Sequence, residues 1–249
     1  MDVRGVTMAK QIRLDKYLSN MGIGTRSEVK IAIKKGFIKV NNQVIKAPDC
    51  KISLGDLVSY LDERISYKEF EYYMLNKPAG VVSATEDKRD KTVIDLLTHY
   101  KRKDLFPVGR LDKDTEGLLL LTNDGELTHQ LLSPNKHVGK VYYARVDGEV
   151  TANEVRLFKE GLRVDEEFTA MPANLTILSS GEESEVELTI MEGKFHQVKR
   201  MFEAVGMKVV YLKRLSMGCL VLDENLKPGE YRELTKEELN GLKREHSRG

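Results

Sequence analysis

The first part of the chain combines a helical pattern with a helix-capping signal. Apolar residues recur at helical spacing in IRLDKYLSNMG, residues 12–22, which predicts a helix that ends near Gly22. Thr25 and Glu28 then provide the Thr-x-x-Glu pattern of a capping box. A second short helix is therefore expected over residues 26–35.

A hairpin pattern follows the second predicted helix. The stretch FIKVNNQVIKA, residues 37–47, reads as two short strands around Asn41 and Asn42, which are typical of a tight turn. The run LVSYL then completes the pattern near Asp62. Two small helices followed by a small sheet are therefore expected in this part of the chain.

The rest of the chain interleaves strand and helix patterns. The charged stretch DERISYKEFE lacks a clear period, so residues 63–70 are predicted to link a domain at 10–62 to a second at 71–240. Strand-like runs in the second domain are YYMLNKP, GLLLLT, VYYARV, EVELTIM and KVVYL, and helical stretches are TVIDLLTHY, EVRLFKEGL and HQVKRMFEAVG. This alternation predicts a mixed body of helices and strands around a large sheet.

Charge is distributed unevenly along the chain. Residues 1–60 hold 11 Lys and Arg against 5 Asp and Glu, a net charge of +6, whereas the remainder has a net charge of −5. Arg26, Lys30 and Lys34 lie four residues apart, so they share one face of the second predicted helix. The pattern indicates either an anionic partner at this module or an ordinary lysine-rich surface.

Composition narrows the class of protein and its location. The hydrophobic fraction of 41% suffices for a buried core, and no apolar run approaches the roughly 20 residues that span a bilayer. Met1–Lys10 lacks the apolar segment of a signal peptide. Two cysteines, Cys50 and Cys219, are too few for a disulfide framework or a cysteine zinc site. We therefore expect a cytoplasmic, monomeric protein that does not contact membranes.

The most informative segment is PVGRLDKDTEGLLLLTNDGEL, residues 107–127. Its four consecutive leucines, residues 118–121, predict a short strand buried on both faces. Acidic residues precede this strand, and they are costly beside a core unless they are solvated or paired. Asp112, Asp114 and Glu116 begin like a calcium loop, but Asn123 stands where that loop needs a glutamate. A structural loop and an active-site loop both remain open on this pattern alone.

Four motifs in order resemble the ribosomal RNA pseudouridine synthases that carry an S4 domain. Residues 13–43, RLDKYLSNMGIGTRSEVKIAIKKGFIKVNNQ, resemble the S4 RNA-binding domain. GRLDKDTEGLLLLTNDGEL resembles the family's catalytic signature, and MLNKPAGVVSA, KVYYARV and EGKFHQVKRMFEAVGMKVVYLKR resemble its other motifs. VKRM and its spacing are most similar to the small-subunit synthases. The resemblance implies an α+β fold, with a small N-terminal S4 domain and a mixed, largely antiparallel-sheet catalytic domain.

The resemblance also implies roles for individual residues. Asp112 corresponds to the catalytic aspartate, which attacks the nucleoside at the base or at the ribose anomeric carbon and must be ionised to do so. Tyr142 corresponds to the tyrosine that stacks on the target base and serves as general base, although by pattern alone it is a core aromatic. Lys199 corresponds to the cation that pairs with the aspartate and lowers its pKa. Arg200 is the neighbouring alternative.

Arg110 corresponds to the arginine that holds the flipped nucleotide, because a base inside a helix must be extruded before chemistry. Arg26, Lys30, Lys34 and Arg200 are the other expected RNA contacts, and His196 is expected to be structural or to face RNA. The reaction is an isomerisation, so no metal and no cofactor are expected. The implied partner is ribosomal RNA, within a partly assembled small ribosomal subunit or free.

Two other functions compete with this one. A non-catalytic RNA-binding factor could keep the same fold, but it would not need Asp112, Tyr142 and Lys199 together. An RNA hydrolase could use Asp112 and Asp114 as paired carboxylates, but side chains two apart in an extended loop are expected to diverge. The mass of the RNA product separates isomerisation from hydrolysis.

Overall fold

The computed structural model of the protein describes residues 11–65, 67–98, 104–133 and 136–246. The chain forms two units, one within Met1–Glu69 and the other made of Phe70–Thr98 and Leu105–Gly249. Within the described residues, no helix is both long enough and apolar enough to cross a bilayer.

The first unit contains two helices and two small sheets. The helices are α1 (Leu14–Asn20) and α2 (Arg26–Lys34), and the strands are β1 (Gln11–Arg13), β2 (Ile38–Val40), β3 (Gln43–Val44), β4 (Lys51–Ser53), β5 (Val58–Tyr60) and β6 (Glu63–Ile65). Strands β3, β2, β5 and β6 form one antiparallel sheet in that order, and β1 pairs with β4. The apolar faces of both helices pack into one core with this sheet.

Local signals set the limits of these elements. The Thr25 hydroxyl accepts a hydrogen bond from the Glu28 amide, and the Glu28 carboxylate accepts one from the Thr25 amide, so the predicted capping box is confirmed. Asn41 and Asn42 both have positive φ, 50° and 66°, as a two-residue hairpin turn requires. The two predicted helices and the hairpin are therefore confirmed, with α1 shorter than expected at both ends.

The predicted linker begins with ordered structure. Glu63–Ile65 forms β6 of the small sheet and does not act as a free connection. The Tyr17 hydroxyl donates a hydrogen bond to the Ile65 carbonyl at 3.2 Å, and the Tyr17 and Tyr67 rings stack at 4.9 Å. The sequence pattern predicted an end at Asp62, because the charged residues that follow give no sign of the strand pairing of Glu63–Ile65 or of the stacking of Tyr67. The other predicted domain limits stay predictions.

The described part of the second unit is built on one large mixed sheet. Its strands are β7 (Tyr72–Lys77), β8 (Phe106–Pro107), β9 (Glu116–Thr122), β10 (Lys140–Asp147), β11 (Asn174–Ser179), β12 (Glu183–Ile190), β13 (Lys208–Met217), β14 (Leu220–Val221) and β15 (Tyr231–Glu233). The main order is β11-β12-β10-β13-β9-β7-β15, with β14 on β13 and β8 on β9. Every pairing between these strands is antiparallel except that of β9 with β13. The predicted largely antiparallel sheet is confirmed.

Four α-helices lie between or after these strands in the described residues: α3 (Gly125–Leu132), α4 (Ala152–Glu160), α5 (Gln197–Glu203) and α6 (Lys236–His246). One local prediction differs from the structure. The stretch TVIDLLTHY forms only a 3₁₀ turn at Ile94–Leu96 in its described part, which reciprocal hydrogen bonds between Thr92 and Asp95 begin. Its last two residues lie outside the described range. The start of α3 is capped by Asp124, whose side chain accepts a hydrogen bond from the Leu127 amide.

The leucine strand β9 lies at the centre of the sheet. All four leucines, residues 118–121, are fully buried, as predicted. Leu118 and Leu120 pack in the core with Met74, and the other two leucines face the opposite side. Because β9 is fixed by packing on both faces, the loop that enters it at Glu116 has a fixed end. This loop carries the acidic residues identified from the sequence.

Candidate active site

The loop at residues 109–115 is held by contacts from distant parts of the chain. The Ser83 hydroxyl donates to the Leu111 carbonyl at 2.8 Å and accepts from the Leu111 amide at 3.0 Å. The Gly80 amide donates to the Lys113 carbonyl at 2.7 Å. The side chain of Leu111 is itself buried, which adds to the anchoring of the loop. The position of the next residue, Asp112, is therefore set by backbone contacts on both sides.

Beneath this loop lies a buried lysine that the sequence analysis did not identify. Lys77 is fully buried, and its ammonium donates to the carbonyls of Pro78, Lys113 and Thr115 at 3.0, 3.3 and 2.8 Å. Burial lowers the Lys77 pKa to about 8, although the acidic residues of the loop oppose this shift. Lys77 therefore organises the loop backbone and lends positive charge beneath its carboxylates.

The predicted catalytic aspartate and its predicted cation lie side by side. Lys199 Nζ is 3.3 Å from Asp112 Oδ2, and His196 Nε2 is 3.5 Å from Asp112 Oδ1. The side chain of Asp112 is 25% exposed and that of Lys199 is 19% exposed, so the pair is only partly shielded from water. The structure thus brings together two residues that are 87 positions apart in the sequence.

The shortest contacts of Lys199 are to a different carboxylate. Its ammonium donates to both oxygens of Asp114, at 2.6 and 2.8 Å. Burial lowers the Lys199 pKa, but the hydrogen bond to Asp114 and the charges of both aspartates outweigh it and raise the pKa overall. For Asp114, burial raises the pKa, but the hydrogen bond from Lys199 and its charge outweigh burial, so the pKa is lowered overall. The two aspartates therefore do not diverge as expected, because one cation holds both.

Tyr142 lies on β10 beside this group. It is 7% exposed, and its Cα is paired with Leu188 on β12 and with Arg214 on β13. Tyr143 faces the other side of the sheet, where its ring contacts that of Tyr211 edge to face. Of the two adjacent tyrosines, Tyr142 is therefore the one on the side of Asp112.

A cavity of about 100 Å³ joins these residues, and its lining includes Asp112, Thr115, Lys140, Tyr142, Lys199 and Arg214. A larger cavity of about 640 Å³ also has Asp112 in its lining. Arg110, which is exposed, lines both cavities. The predicted residues Arg110, Asp112, Tyr142 and Lys199 thus surround one concave site. Among the described residues, no three His, Cys, Asp or Glu side chains are grouped closely enough to hold a metal ion.

An exposed aromatic residue stands at the rim of the larger cavity. Phe195 is 75% exposed, and its ring stacks on that of His196 at 3.8 Å with an angle of 17° between the planes. His196 adopts a left-handed conformation, φ 49°, at the start of α5. Such a conformation is rare for residues other than glycine and is typical of functional sites. The sequence analysis noted His196 but not its stacking partner.

Arg200, the predicted alternative to Lys199, has other partners. It forms an ion pair with Asp165 and donates a hydrogen bond to the Phe195 carbonyl at 3.3 Å. Its guanidinium also lies 5.3 Å from the centre of the Phe168 ring. The structure therefore separates the two neighbouring cations, with Lys199 on the aspartates and Arg200 on a different loop.

The first unit presents a separate candidate surface on α2. Arg26, Lys30 and Lys34 are exposed, whereas Val29 and Ile33 on the opposite face are buried. The capping box fixes the start of this helix, and the four-residue interval between the three cations places them on one face. Cations repeated along one helix face match the regular spacing of phosphates on a nucleic-acid backbone.

Comparison with known proteins agrees with both units. The family model described as RNA pseudouridylate synthase matches residues 71–204, and that of the S4 domain matches residues 12–58. An uncharacterised RNA pseudouridine synthase of Bacillus subtilis is 49% identical, over 93% of this chain and 98% of its own length. The ribosomal small subunit pseudouridine synthase A of Haemophilus influenzae is 41% identical, over 93% of this chain and 99% of its own length.

A solved structure described as a pseudouridylate synthase superposes with a TM-score of 0.66 and 39% identity, and the match covers 93% of this chain and 99% of that one. The catalytic family model covers more than half of the chain, so the resemblance to this family is confirmed. The chain therefore belongs to the RNA pseudouridylate synthase family and carries an S4 domain at its N-terminal side.

Proposed function

We propose that this enzyme converts a uridine of ribosomal RNA, in the small subunit, to pseudouridine, with Asp112 as the nucleophile. The observation that carries the proposal is the grouping of Asp112 and Lys199, 3.3 Å apart, with Tyr142 on one concave site. The small-subunit synthase of Haemophilus influenzae, similar over nearly the whole of both chains, supports the choice of RNA.

The proposed reaction begins with Asp112. Its carboxylate attacks the nucleoside at the base or at the ribose anomeric carbon, and the N1–C1′ bond breaks. The uracil then rotates and a C5–C1′ bond forms, and the bond between Asp112 and the nucleoside breaks, which regenerates the carboxylate. The C5 proton leaves and N1 gains a proton, so the RNA keeps its mass. Lys199, whose Nζ lies 3.3 Å from Asp112 Oδ2, holds the carboxylate in place and offsets its negative charge. Tyr142 stacks on the base and accepts the C5 proton.

The target base must leave its helix before Asp112 can reach it. Extrusion costs a few kcal/mol of stacking and pairing energy, which protein contacts have to offset. Arg110 at the mouth of the cavity supplies a planar cation for a phosphate or base. Phe195 and His196 supply an exposed aromatic surface on which an unstacked base can lie. Arg200 adds a contact to the RNA backbone.

The S4 domain supplies affinity and the choice of site in this proposal. Arg26, Lys30 and Lys34 contact phosphates near the target and position the RNA without reading its sequence. The enzyme acts as a cytoplasmic monomer that uses neither metal nor cofactor. Its substrate is the ribosomal RNA, free or within a partly assembled small subunit.

An in vitro assay tests the proposed substrate. The purified enzyme is incubated with unmodified small-subunit ribosomal RNA, large-subunit ribosomal RNA and partly assembled small subunits. Pseudouridine is then mapped by carbodiimide labelling and primer extension, and fragment masses are measured before and after labelling. We expect one labelled position in the small-subunit RNA and no mass change before labelling. Labelling confined to large-subunit RNA would contradict the choice of subunit, and strand breaks would contradict the isomerase chemistry.

Neutralising the α2 face tests the role of the S4 domain. We expect replacement of Arg26, Lys30 and Lys34 by alanine to weaken binding to similar degrees across RNA sequences. The slope of log affinity against log salt should fall by roughly 0.7–0.9 for each phosphate that the helix no longer neutralises. The maximal rate at saturating RNA should change little, because the catalytic residues are untouched.

A matched control removes three exposed cations from the second unit, Arg156, Lys159 and Arg163. This control lowers the net charge by the same amount as the α2 variant. Its slope of log affinity against log salt should stay closer to that of the parent than the slope of the α2 variant does. If the α2 variant and the parent have equal salt slopes, this face does not bind RNA.

A further inference from the structure

Two buried cations lie beside the predicted catalytic tyrosine. Lys140 and Tyr142 are two residues apart on β10 and therefore share one face of the sheet. Arg214 on β13 is the Cα partner of Tyr142. All three line the cavity that contains Asp112, and they are 7%, 7% and 3% exposed. The lining of this cavity therefore includes an aromatic ring and two buried basic side chains.

Neither cation is balanced by a carboxylate. Lys140 Nζ donates to the Val138 carbonyl at 2.7 Å, and Arg214 Nε donates to the Leu118 carbonyl at 2.8 Å. Within the described residues, neither side chain forms an ion pair, and Arg214 Nη2 is buried without a hydrogen-bond partner. Thr115 Oγ1, on another wall of the same cavity, is also buried without a partner.

This arrangement is costly for a purely structural role. Burying a charge without a counter-charge is strongly unfavourable, and native proteins rarely leave a buried donor unpaired. Burial and the nearby charge of Arg214 lower the Lys140 pKa to about 8. A neutral donor could satisfy the Val138 carbonyl without this cost. Two unbalanced cations beside a cavity therefore indicate a ligand that brings negative charge into it.

We propose that Lys140 and Arg214 stabilise the negative charge that develops on the uracil ring when its glycosidic bond breaks. The inference rests on the proposed function. When the N1–C1′ bond breaks, its electron pair stays on the uracil and spreads over N1, O2 and O4. The charge is lost when C5 bonds to C1′, and the later loss of the C5 proton is balanced by protonation of N1. Fixed cations at the place where charge develops lower the barrier of that step.

The cavity favours a base over a phosphate as the source of charge. Its volume of about 100 Å³ and the ring of Tyr142 suit a flat pyrimidine. The two candidate sources predict different kinetics. A phosphate is charged in the free RNA, so the cations would strengthen binding. The uracil is charged only during the reaction, so the cations should change the rate and not the affinity.

Two variants of Lys140 test the inference. Lys140→Met removes the charge and the hydrogen bond, whereas Lys140→Gln removes the charge but keeps a donor for the Val138 carbonyl. We expect both to lower the single-turnover rate by about 10²–10³, with RNA affinity within about twofold of the parent. Their melting temperatures should not fall, because each substitution removes an unbalanced buried charge. A conservative Arg214→Lys variant, which keeps the charge but not the Nη2 donor, should retain more activity than Arg214→Met.

An altered base provides the decisive comparison. In 5-fluorouridine the fluorine withdraws electrons and stabilises the uracil anion without help from the protein. The rate deficit of Lys140→Met, measured as loss of intact 5-fluorouridine at the target position, should therefore shrink at least several-fold. An equal deficit on both substrates, weakened binding, or full activity of Lys140→Gln would overturn the inference. Inactivity of the parent on every RNA would instead refute the proposed function, so the two failures are distinguishable.

Discussion

The Asp112→Asn variant is expected to lose at least about a thousandfold of its isomerisation rate while it binds RNA within a few-fold of the parent. An amide cannot serve as the nucleophile, so the chemical step is removed. Lys199 keeps its closer partner Asp114, at 2.6 Å, so the site should remain folded. Removing a negative charge near the RNA backbone should if anything favour binding.

Tritium release from RNA that carries 5-tritiated uridine measures this loss, beside a binding titration. The matched control is Asp114→Asn, which changes the other carboxylate on Lys199. We expect only a modest loss for this control, up to roughly tenfold, because Asp112 still pairs with Lys199. Appreciable turnover by Asp112→Asn together with an inactive Asp114→Asn would assign the nucleophile to Asp114.

The second large effect is expected from Gly117→Ala. Gly117 has φ +100°, and a Cβ atom there would lie 2.3 Å from the Arg214 carbonyl oxygen and 2.8 Å from the Arg214 nitrogen. These are backbone atoms of the paired strand β13, so no side chain can move aside. We expect the free energy of unfolding to fall by about 3 kcal/mol or more, and activity to fall with it. The only parallel pairing between named strands of the sheet runs through this contact.

Gly125→Ala is the matched control for this substitution. No atom lies within 4 Å of its added Cβ, and the residue begins α3, where alanine is a better helix former than glycine. We expect its stability to equal or exceed that of the parent by up to about 1 kcal/mol. Urea unfolding curves, fitted with the midpoint and the slope as free parameters, give the free energy of unfolding of each variant. A Gly117→Ala variant as stable and active as the parent would show that the two strands can separate there without cost.

Local sequence rules predicted the elements that local interactions determine. The Thr25–Glu28 capping box involves two residues one helical turn apart, so its pattern suffices to place the start of α2. The turn at Asn41 and Asn42 depends only on two residues that tolerate positive φ. The four leucines of β9 form an apolar run that only a central strand buries on both faces.

The stretch TVIDLLTHY shows where such rules fail. Its apolar residues have helical spacing, and Thr92 and Asp95 hydrogen-bond each other as the residues of a helix cap do, yet the turn ends at Leu96. Most of the stability of a helix in a protein comes from tertiary packing, which a pattern of apolar positions does not contain.

The candidate site was only partly predictable for a similar reason. Asp112, Tyr142, Lys199 and Arg110 were identified through the resemblance, and the structure brings them to one cavity. The hydrogen bond between Lys199 and Asp114 and the burial of Lys77 depend on contacts between distant segments. No periodicity or spacing encodes those contacts.

Lys140 is an intermediate case. Its position two residues before Tyr142 already places both side chains on one face of any strand, so this signal was present in the sequence. The missing partner of Arg214 could not be inferred, because it depends on every neighbour of the guanidinium in the fold. The pair of unbalanced cations, Lys140 and Arg214, can therefore be recognised only when β10 and β13 are paired.

The most direct test of the central claim is a pseudouridine map of ribosomal RNA from cells that lack the gene. The map is repeated after the cells receive the parent gene or the Asp112→Asn variant, with matched protein levels. We predict that one position of the small-subunit RNA loses its pseudouridine in the deletion strain and regains it with the parent only. A map that is unchanged by the deletion, or restored by Asp112→Asn, would contradict the account.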